Sequence, residues 1–428
     1  MNDPIPFIDL CCGIGGFRVG IDEFVKNSNK LFKCVLSADI KQDALDTYNA
    51  NFGESNTKTD INTLTDLPPF DLLVAGFPCQ PFSTAGHQKG FEDHRGGIIF
   101  TIRNICKKHR PECFILENVA NLLNMLHNGK RVIETIQEMF EEIGYNISFK
   151  RLNSMDFGIP QLRQRVFIVG NLHRKIDLEN IQTQPMPKLK DIIDTSFQET
   201  DLPQQFVEQL LNYHKTVKPI YGMRIRDNRR SNMNIHSWDI DFHGSVSQQE
   251  KDLMNKIMTE RSKKYWAINK GIEHFDGMPL TVEEIKTFFD VPNLQEMLDN
   301  LSQKGYLKFQ KCKDRENGRR VFTDKCQPGY NICKGMLSFP LMKVLDPEGF
   351  TPTLTATDSI KLGVLVGNTV RKLTINEMKA VCGFPQDFQV PEHVNAYNLF
   401  GNMATPPVIT AIMTAIYSVE PPHKRRKV

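Results

Sequence analysis

Pro6-Phe7-Ile8-Asp9-Leu10-Cys11-Cys12-Gly13-Ile14-Gly15-Gly16-Phe17 is the stretch from which the fold can be read. Pro6 to Leu10 reads as a short buried strand that breaks at Gly13, and a helix resumes around Phe17. A glycine-rich turn between strand and helix lets a ligand approach the backbone at a helix N-terminus. Asp39 ends the next strand, at about the interval where an acidic residue holds a nucleoside ribose. A dinucleotide fingerprint needs its third glycine at position 18, and Arg18 stands there. The turn therefore reads as a nucleoside site without a pyrophosphate cradle, or as an ordinary strand-to-helix turn.

Working outward, strands follow at Cys34-Val35-Leu36-Ser37-Ala38, Asp71-Leu72-Leu73-Val74-Ala75 and Cys113-Phe114-Ile115-Leu116. Arg165-Val166-Phe167-Ile168-Val169-Gly170 continues the series. Val132, Ile133, Ile136, Met139, Phe140 and Ile143 share one helical face that stops at Gly144. Short apolar strands separated by amphipathic helices predict an α/β fold, a doubly wound, mostly parallel sheet covered on both faces.

From about Asn171 to Ser338 the chain turns polar, rich in Lys, Asn and Gln, with helical signals. Thr281 with Glu284 makes a capping box, and Asn293 with Glu296 resembles a second. A basic ribbon, Tyr306 to Thr323, turns near Asn317-Gly318, so helix, helix and hairpin follow in winged-helix order. Apolar α/β texture returns at about Phe339, which makes the middle an insertion. The expected division is 1–170, an inserted 171–338, a returning 339–420 and a basic tail, 421–428.

Composition narrows the classes. With 428 residues, 53 Lys plus Arg against 50 Asp plus Glu, and a net charge of +3, a nucleic-acid partner is allowed but needs a local basic surface. Hydrophobic residues at 40% exclude wholesale disorder. No apolar run approaching the ~20 residues of a membrane span is read, and no secretory leader is expected at Met1-Asn2-Asp3-Pro4. Ten scattered cysteines suit a reducing compartment with one reactive thiol rather than a disulfide framework. An intracellular soluble protein is the expectation.

Four further segments carry candidate chemistry. Gly76-Phe77-Pro78-Cys79-Gln80-Pro81-Phe82-Ser83 follows the third strand, where ligands of a parallel sheet bind, so Cys79 is placed as a nucleophile or is an inert buried thiol. Gly86, Gly90, Gly96 and Gly97 then interleave with His87, Lys89, Asp93, His94 and Arg95, a composition suited to a loop that closes on a substrate. Phe114-Ile115-Leu116-Glu117-Asn118-Val119 puts a carboxylate at a strand end, where burial would keep it protonated as a donor; an N-cap or surface ion pair is the plainer reading. Gly158-Ile159-Pro160-Gln161-Leu162-Arg163-Gln164-Arg165 leads into a strand, so Arg163 and Arg165, two apart, face one pocket or are two solvated charges. Asn398 to Pro407 by itself is only a loop and helix start.

Taken together and in this order, the segments resemble the motif series of the cytosine-C5 DNA methyltransferases, enzymes of the bacterial restriction–modification type that use S-adenosylmethionine. The likeness covers roughly Pro6 to Gly170 and Phe350 to Ile416, and the unmatched middle lies where the family keeps its target-recognition domain. Phe-Pro-Cys-Gln, Glu-Asn-Val and Gln-x-Arg-x-Arg at such intervals make the match specific. The resemblance implies a Rossmann-like class I methyltransferase fold with a smaller inserted DNA-recognition domain.

It further implies that Cys79 attacks C6 of a flipped cytosine, that Glu117 holds and protonates N3, and that Arg163 and Arg165 fix the base and catalytic groups. Asp9, Cys11, Gly13, Ile14, Gly15, Gly16, Asp39, Ile40, Asp60, Ile61, Pro78 and Asn402 would form the cofactor site. Phe350 to Thr355 and Arg371 to Thr374 would brace the recognition domain. Gln80, Ser83, His87, Lys89 and Arg95 would meet double-stranded DNA. Cys11-Cys12 replaces the family's common Phe-Ala, Asp39 stands for the usual Glu, Ile40 for an aromatic and Met403 for a small polar residue.

In the middle region, Arg224, Arg226, Arg229 and Arg230 suit bidentate guanine reading. Lys308, Lys311, Lys313, Arg315, Arg319 and Arg320 suit phosphates, or are solvated charge. Cys312, Cys326 and Cys333 have no C-x-x-C spacing, so no metal is expected. The tail His423-Lys424-Arg425-Arg426-Lys427-Val428 has the form of a nuclear-import signal, a frayed terminus or an added tag. The chain is expected to act as a monomer, without a membrane, in a bacterial cytoplasm beside a cognate restriction endonuclease, or in a nucleus if the tail is a signal. A tRNA cytosine methyltransferase and a catalytically silent DNA-binding relative are the rival readings.

Overall fold

The computed structural model describes residues 3–78, 97–227, 231–273, 277–316, 319–333 and 339–418. The chain opens as β1 (Ile5–Leu10), α1 (Gly16–Lys26), β2 (Phe32–Ala38), α2 (Gln42–Phe52), β3 (Leu72–Gly76), α3 (Gly97–His109) and β4 (Cys113–Val119). A two-residue ribbon, β5 (Leu126–His127) with β6 (Lys130–Arg131), leads to α4 (Val132–Glu141), β7 (Asn146–Asn153) and β8 (Gln164–Asn171).

Six of these strands form one sheet in the order β2-β1-β3-β4-β8-β7. β1 is parallel to β2 and β3, and β3 to β4, while β8 runs antiparallel to β4 and β7. This is the doubly wound, mostly parallel sheet that the apolar runs predict. Leu72, Leu73, Val74 and Ala75 are all fully buried because both faces are covered. On one face Ile102 and Cys106 of α3 and Ile136 and Phe140 of α4 pack with Leu73, Phe114 and Leu116. β7 was not foreseen; as an edge strand paired only with β8, it carries exposed and half-buried Lys150 and Arg151 and lacks a continuous apolar run.

The chain forms two compact units. The first holds the described residues up to Asp194, Pro347–Ile360, and those from Thr374 onward; the second holds Thr195–Asp346 and Lys361–Leu373. The first therefore extends beyond the change of texture near Asn171, because the polar stretch that follows packs back: Ile176 and Leu178 share a core with Phe167 and Val169.

The second unit contains α5 (Gln204–Thr216), β9 (Arg224–Ile225), β10 (Asn234–Ile235), α6 (Gln248–Glu260), α7 (Lys264–Asn269), α8 (Val282–Lys286), α9 (Leu294–Gln303), β11 (Leu307–Gln310), β12 (Cys312–Glu316), β13 (Arg319–Thr323), β14 (Gly329–Ile332), β15 (Lys343–Val344), β16 (Leu362–Val366) and β17 (Thr369–Lys372). One core gathers α5 around the sheet β10-β9-β15-β16-β17, and another gathers α6 to α9 around β11 and β14. The Thr281–Glu284 capping box forms. The Asn293–Glu296 box does not, since Asn293 at φ −94° and ψ 19° has left the extended conformation a cap needs; Ser247 with Glu250 makes an unforeseen one on α6. Cys312 and Cys326 are joined as a disulfide, a single link and not a framework, which removes two sulfurs from the zinc alternative.

Back in the first unit come α10 (Ile375–Cys382), α11 (Ala396–Gly401) and α12 (Pro406–Tyr417). By length and composition Ala396–Tyr417 is apolar enough to cross a membrane, contrary to the expectation of no such run. It is broken between α11 and α12, and Ile409, Ile412 and Met413 are buried against Phe17 and Ile21 of α1 and the second face of the sheet.

Candidate active site

In the strand order β2-β1-β3 the chain lies to either side of β1, the point at which sheets of this kind receive ligands in the crevice beyond the carboxyl ends of their strands. The glycine turn sits there. Cys11, Gly13 and Gly15 take φ of 52°, 56° and 89°, a left-handed sequence natural for the glycines and uncommon for Cys11. Asp39, at the end of β2, accepts Gly13 N–H on Oδ2 and Lys41 N–H on Oδ1, each at 2.9 Å. Thr59 N–H donates to the Asp39 carbonyl, which ties Asp60 and the buried Ile61 to the same rim. Ile40 is 64% exposed beside them.

A Cβ on Gly13 would meet nothing within 4 Å, so its backbone faces open space. At Gly16 a Cβ would fall 2.1 Å from the Ala404 carbonyl oxygen; glycine there permits the approach of the segment entering α12. Ile14 is buried in the turn. Asp9 is wholly buried rather than presented at the crevice, since alternation along β1 sends it with Phe7 to the α1 face. Burial raises its pKa well above the usual range, opposed by nearby Arg18.

The second cluster lies at the ends of β3 and β4. Glu117 stands in register with Gly76, and Arg165 opposes Val119 on β8. Arg165 Nε lies 2.9 Å from Glu117 Oε1, with both side chains largely shielded. A Cβ on Gly76 would lie 3.7 Å from Glu117 Oε2, so that oxygen is turned toward the start of Phe77-Pro78. Asn118, buried, donates from Nδ2 to the Phe77 carbonyl at 3.1 Å and so anchors that turn from β4. Cys79, Gln80, Ser83, His87, Lys89 and Arg95 lie outside the described residues. Burial pushes Cys11, Cys113 and Cys382 up to about 12 and Cys34 to about 11, so none of these four is poised as a thiolate near neutral pH.

The family model for C-5 cytosine-specific DNA methylase matches residues 5–418. The chain belongs to that family. It is 40% identical to the Type II methyltransferase M.NlaIV of Neisseria lactamica, over 95% of this chain and 97% of that protein. It is 36% identical to the Type II methyltransferase M.BanI of Aneurinibacillus aneurinilyticus, over 96% of each. A crystal structure of a prophage-encoded E. coli protein, assigned as a DNA modification methyltransferase, covers 97% of this chain and 99% of its own at 17% identity and a TM-score of 0.51, a likeness of fold. The protein is thus a DNA cytosine-5-methyltransferase, and the family implies S-adenosylmethionine as its methyl donor.

Within this methylase, Arg163 lies near Arg165 and Glu117, which both act on its charge, but it is the more deeply buried of the two arginines. It precedes β8, in a tight turn where its N–H donates to Gln161. Its buried guanidinium donates to the carbonyls of Leu354, Gly401 and Met403, and burial together with Arg165 pulls its pKa down to about 10. Asn402, exposed between two of those carbonyls, caps α11 and donates to the Asn398 carbonyl.

Sequence reasoning missed Asn118, Gln161, whose Nε2 donates to the Val381 carbonyl at 2.7 Å, and Gly20, where a Cβ would strike Ile409. The Gly16-x-x-x-Gly20 spacing was the available signal for a close helix partner. In the second unit Arg224 is exposed and Arg226 half-buried on the same strand end, while Arg229 and Arg230 lie outside the described residues. A first-unit cavity of about 830 Å³, lined by Val19, Phe52, Phe384 and Pro407 among others, contains none of the predicted site residues.

Proposed function

We propose that the methylase modifies C5 of a cytosine flipped from a short specific sequence of duplex DNA, with Cys79 as nucleophile and Glu117 at N3. The placement of Glu117 beside Gly76, fixed by Arg165 and just upstream of Pro78-Cys79, carries this reading. Carbon 5 of cytosine is too poor a nucleophile to take a methyl group directly. Addition of the Cys79 thiolate at C6 pushes electrons into the ring, and a proton delivered to N3 by the Glu117 carboxyl accepts them. Arg165 holds one carboxyl oxygen and leaves the other for the ring edge. Asn118 holds the Phe77 carbonyl and so the approach of the turn that carries the thiol. Once C5 carries the methyl group, loss of the C5 proton, departure of the thiolate and return of the N3 proton to the Glu117 carboxylate restore the ring.

The donor site is assigned to the glycine turn. Gly13 keeps its backbone open, Asp39 retains lone pairs for ribose hydroxyls, and exposed Ile40 offers an apolar surface for a base. Bound there, S-adenosylmethionine supplies an electrophilic methyl group on a sulfonium. Asp60, Ile61, Pro78 and Asn402 would close the rim. Relatives named Type II methyltransferases support a modification role; action as a monomer in a bacterial cytoplasm, beside an endonuclease of the same specificity, belongs to the same proposal.

The test is transfer of tritiated methyl from S-adenosylmethionine to duplex DNA and to tRNA, with bisulfite mapping of the product. Labelled duplex at one short site, lost in Cys79→Ser while duplex binding persists, is expected. Label on tRNA alone, or a Cys79→Ser variant as active as the native protein, overturns the reading.

A further inference from the structure

We infer that the second unit contains a winged-helix module that grips the phosphate backbone of duplex DNA through its wing, Lys313, Arg315, Arg320 and Phe322, and not through its second helix. The inference rests on the reading that duplex DNA is the substrate. Leu280 bridges Tyr330 antiparallel, and β14 pairs antiparallel with β11, which makes a small three-stranded sheet. Leu253 and Ile257 of α6, Ile285 of α8 and Leu298 and Leu301 of α9 pack with it in one core. The β12–β13 hairpin interrupts the chain between β11 and β14, in the place of a wing.

The hairpin has two unlike faces. Cys312 and Asp314 are buried, the first in the disulfide with Cys326 and the second paired with Lys325 at 2.6 Å. Alternation collects Lys313, Arg315, Arg320 and Phe322 on the solvent face, with Lys313 opposite Phe322 and Arg315 opposite Arg320. Arg315 and Arg320 stand directly across the ladder, which concentrates two cations on one part of the solvent face. The Lys313 ammonium stands 4.6 Å from the centroid of Phe322, a ring left 58% exposed. No carboxylate occupies any of these four positions.

The helix that a winged module would insert into a groove is of the opposite character. Along α9 the exposed side chains are Gln295, Glu296, Asp299 and Gln303, with no cation among them. Two carboxylates facing a duplex meet its phosphates unfavourably, whereas the wing releases condensed counterions. Phosphate contacts position a protein without reading sequence, so this module supplies grip and register and leaves base reading to other residues.

Arg315→Ala with Arg320→Ala, made in the full chain, tests this by fluorescence anisotropy on duplexes with and without the methylation site at several salt concentrations. Both affinities should fall by the same factor, and the salt slope should become shallower by about two, roughly 0.9 per lost phosphate contact. KM for DNA rises and kcat at saturating DNA holds. The charge-keeping pair Arg315→Lys and Arg320→Lys should retain the native slope, which separates loss of contact from loss of fold. An unchanged slope, or weakening on the site-bearing duplex alone, overturns the wing contact; a Gln295→Ala variant that loses site-specific affinity overturns the exclusion of α9. If the native protein labels no duplex at all, the substrate reading fails instead.

Discussion

The glycine turn after β1 and the β12–β13 hairpin are both short connections carrying polar chemistry, and they are held in opposite ways. The turn is held from behind, with only Gly13 left open: Asp39 accepts its N–H, Phe52 and Tyr48 crowd Gly15, and the Ala404 carbonyl abuts Gly16. The hairpin is packed on one face only, and its other face offers four side chains to solvent. Residues of the turn are dictated by the molecule's own packing, whereas the outer face of the hairpin is, on the inference above, shaped by the phosphates of a duplex. Substitution in the first should cost stability and cofactor binding together, and in the second affinity alone.

The strongest way to break that contrast is Gly16→Ala. With a Cβ 2.1 Å from a backbone oxygen, the α1–α12 contact must open, and a loss of about 3 kcal/mol is expected, together with donor binding. Thermal melting with and without S-adenosylmethionine checks it; an unshifted midpoint would show that the turn is looser than its packing implies. Arg163→Met comes next, at about 2 kcal/mol, since three carbonyls lose a buried charged donor. Arg163→Lys should recover little, because an ammonium cannot span that fork; full recovery in denaturant titration would contradict the bracing role.

Asp9→Asn sharpens the comparison through pH. Burial raises the Asp9 carboxyl in the folded state, so the folded protein keeps a proton that the unfolded chain releases above about pH 4. Native stability from this group is therefore present at low pH and falls as pH rises toward the folded-state value. The variant should gain on the native protein as pH is raised above about 4, and a gap in denaturation midpoints that does not change with pH would contradict it. Smallest of all, Arg315→Ala with Arg320→Ala should move the melting midpoint by an amount equivalent to no more than about 0.5 kcal/mol. A larger shift would mean the wing's outer face supports the fold.

Much of the first unit was readable because strands covered on both faces leave continuous apolar runs and the glycines break them where the sheet ends. β7 was not, because an edge strand needs no such run. The Glu117–Arg165 pair could be anticipated only in part: the motifs name both residues, but the match of β4 with β8 that brings them together is a register, which no local pattern reveals. The three carbonyls that receive Arg163 come from segments some 190 to 240 residues away, beyond the reach of any local pattern. Asp9 shared a motif with the turn, yet its parity with Phe7 already pointed away from the crevice. The Cys312–Cys326 link likewise depends on how a hairpin folds back, not on spacing. Cys79, the residue the motifs name most directly, lies outside the described residues.

The meeting of Gly16 with Ala404 has a consequence for how the protein is made. A ribosome delivers α1 hundreds of residues before the stretch that backs it, so a nascent chain holds the turn without its rear wall. If the donor binds at the turn as proposed, its binding would wait on translation through α12, and a product truncated before that helix would not methylate DNA. Competence would then arrive late in synthesis, with the helix that closes the rear of the turn.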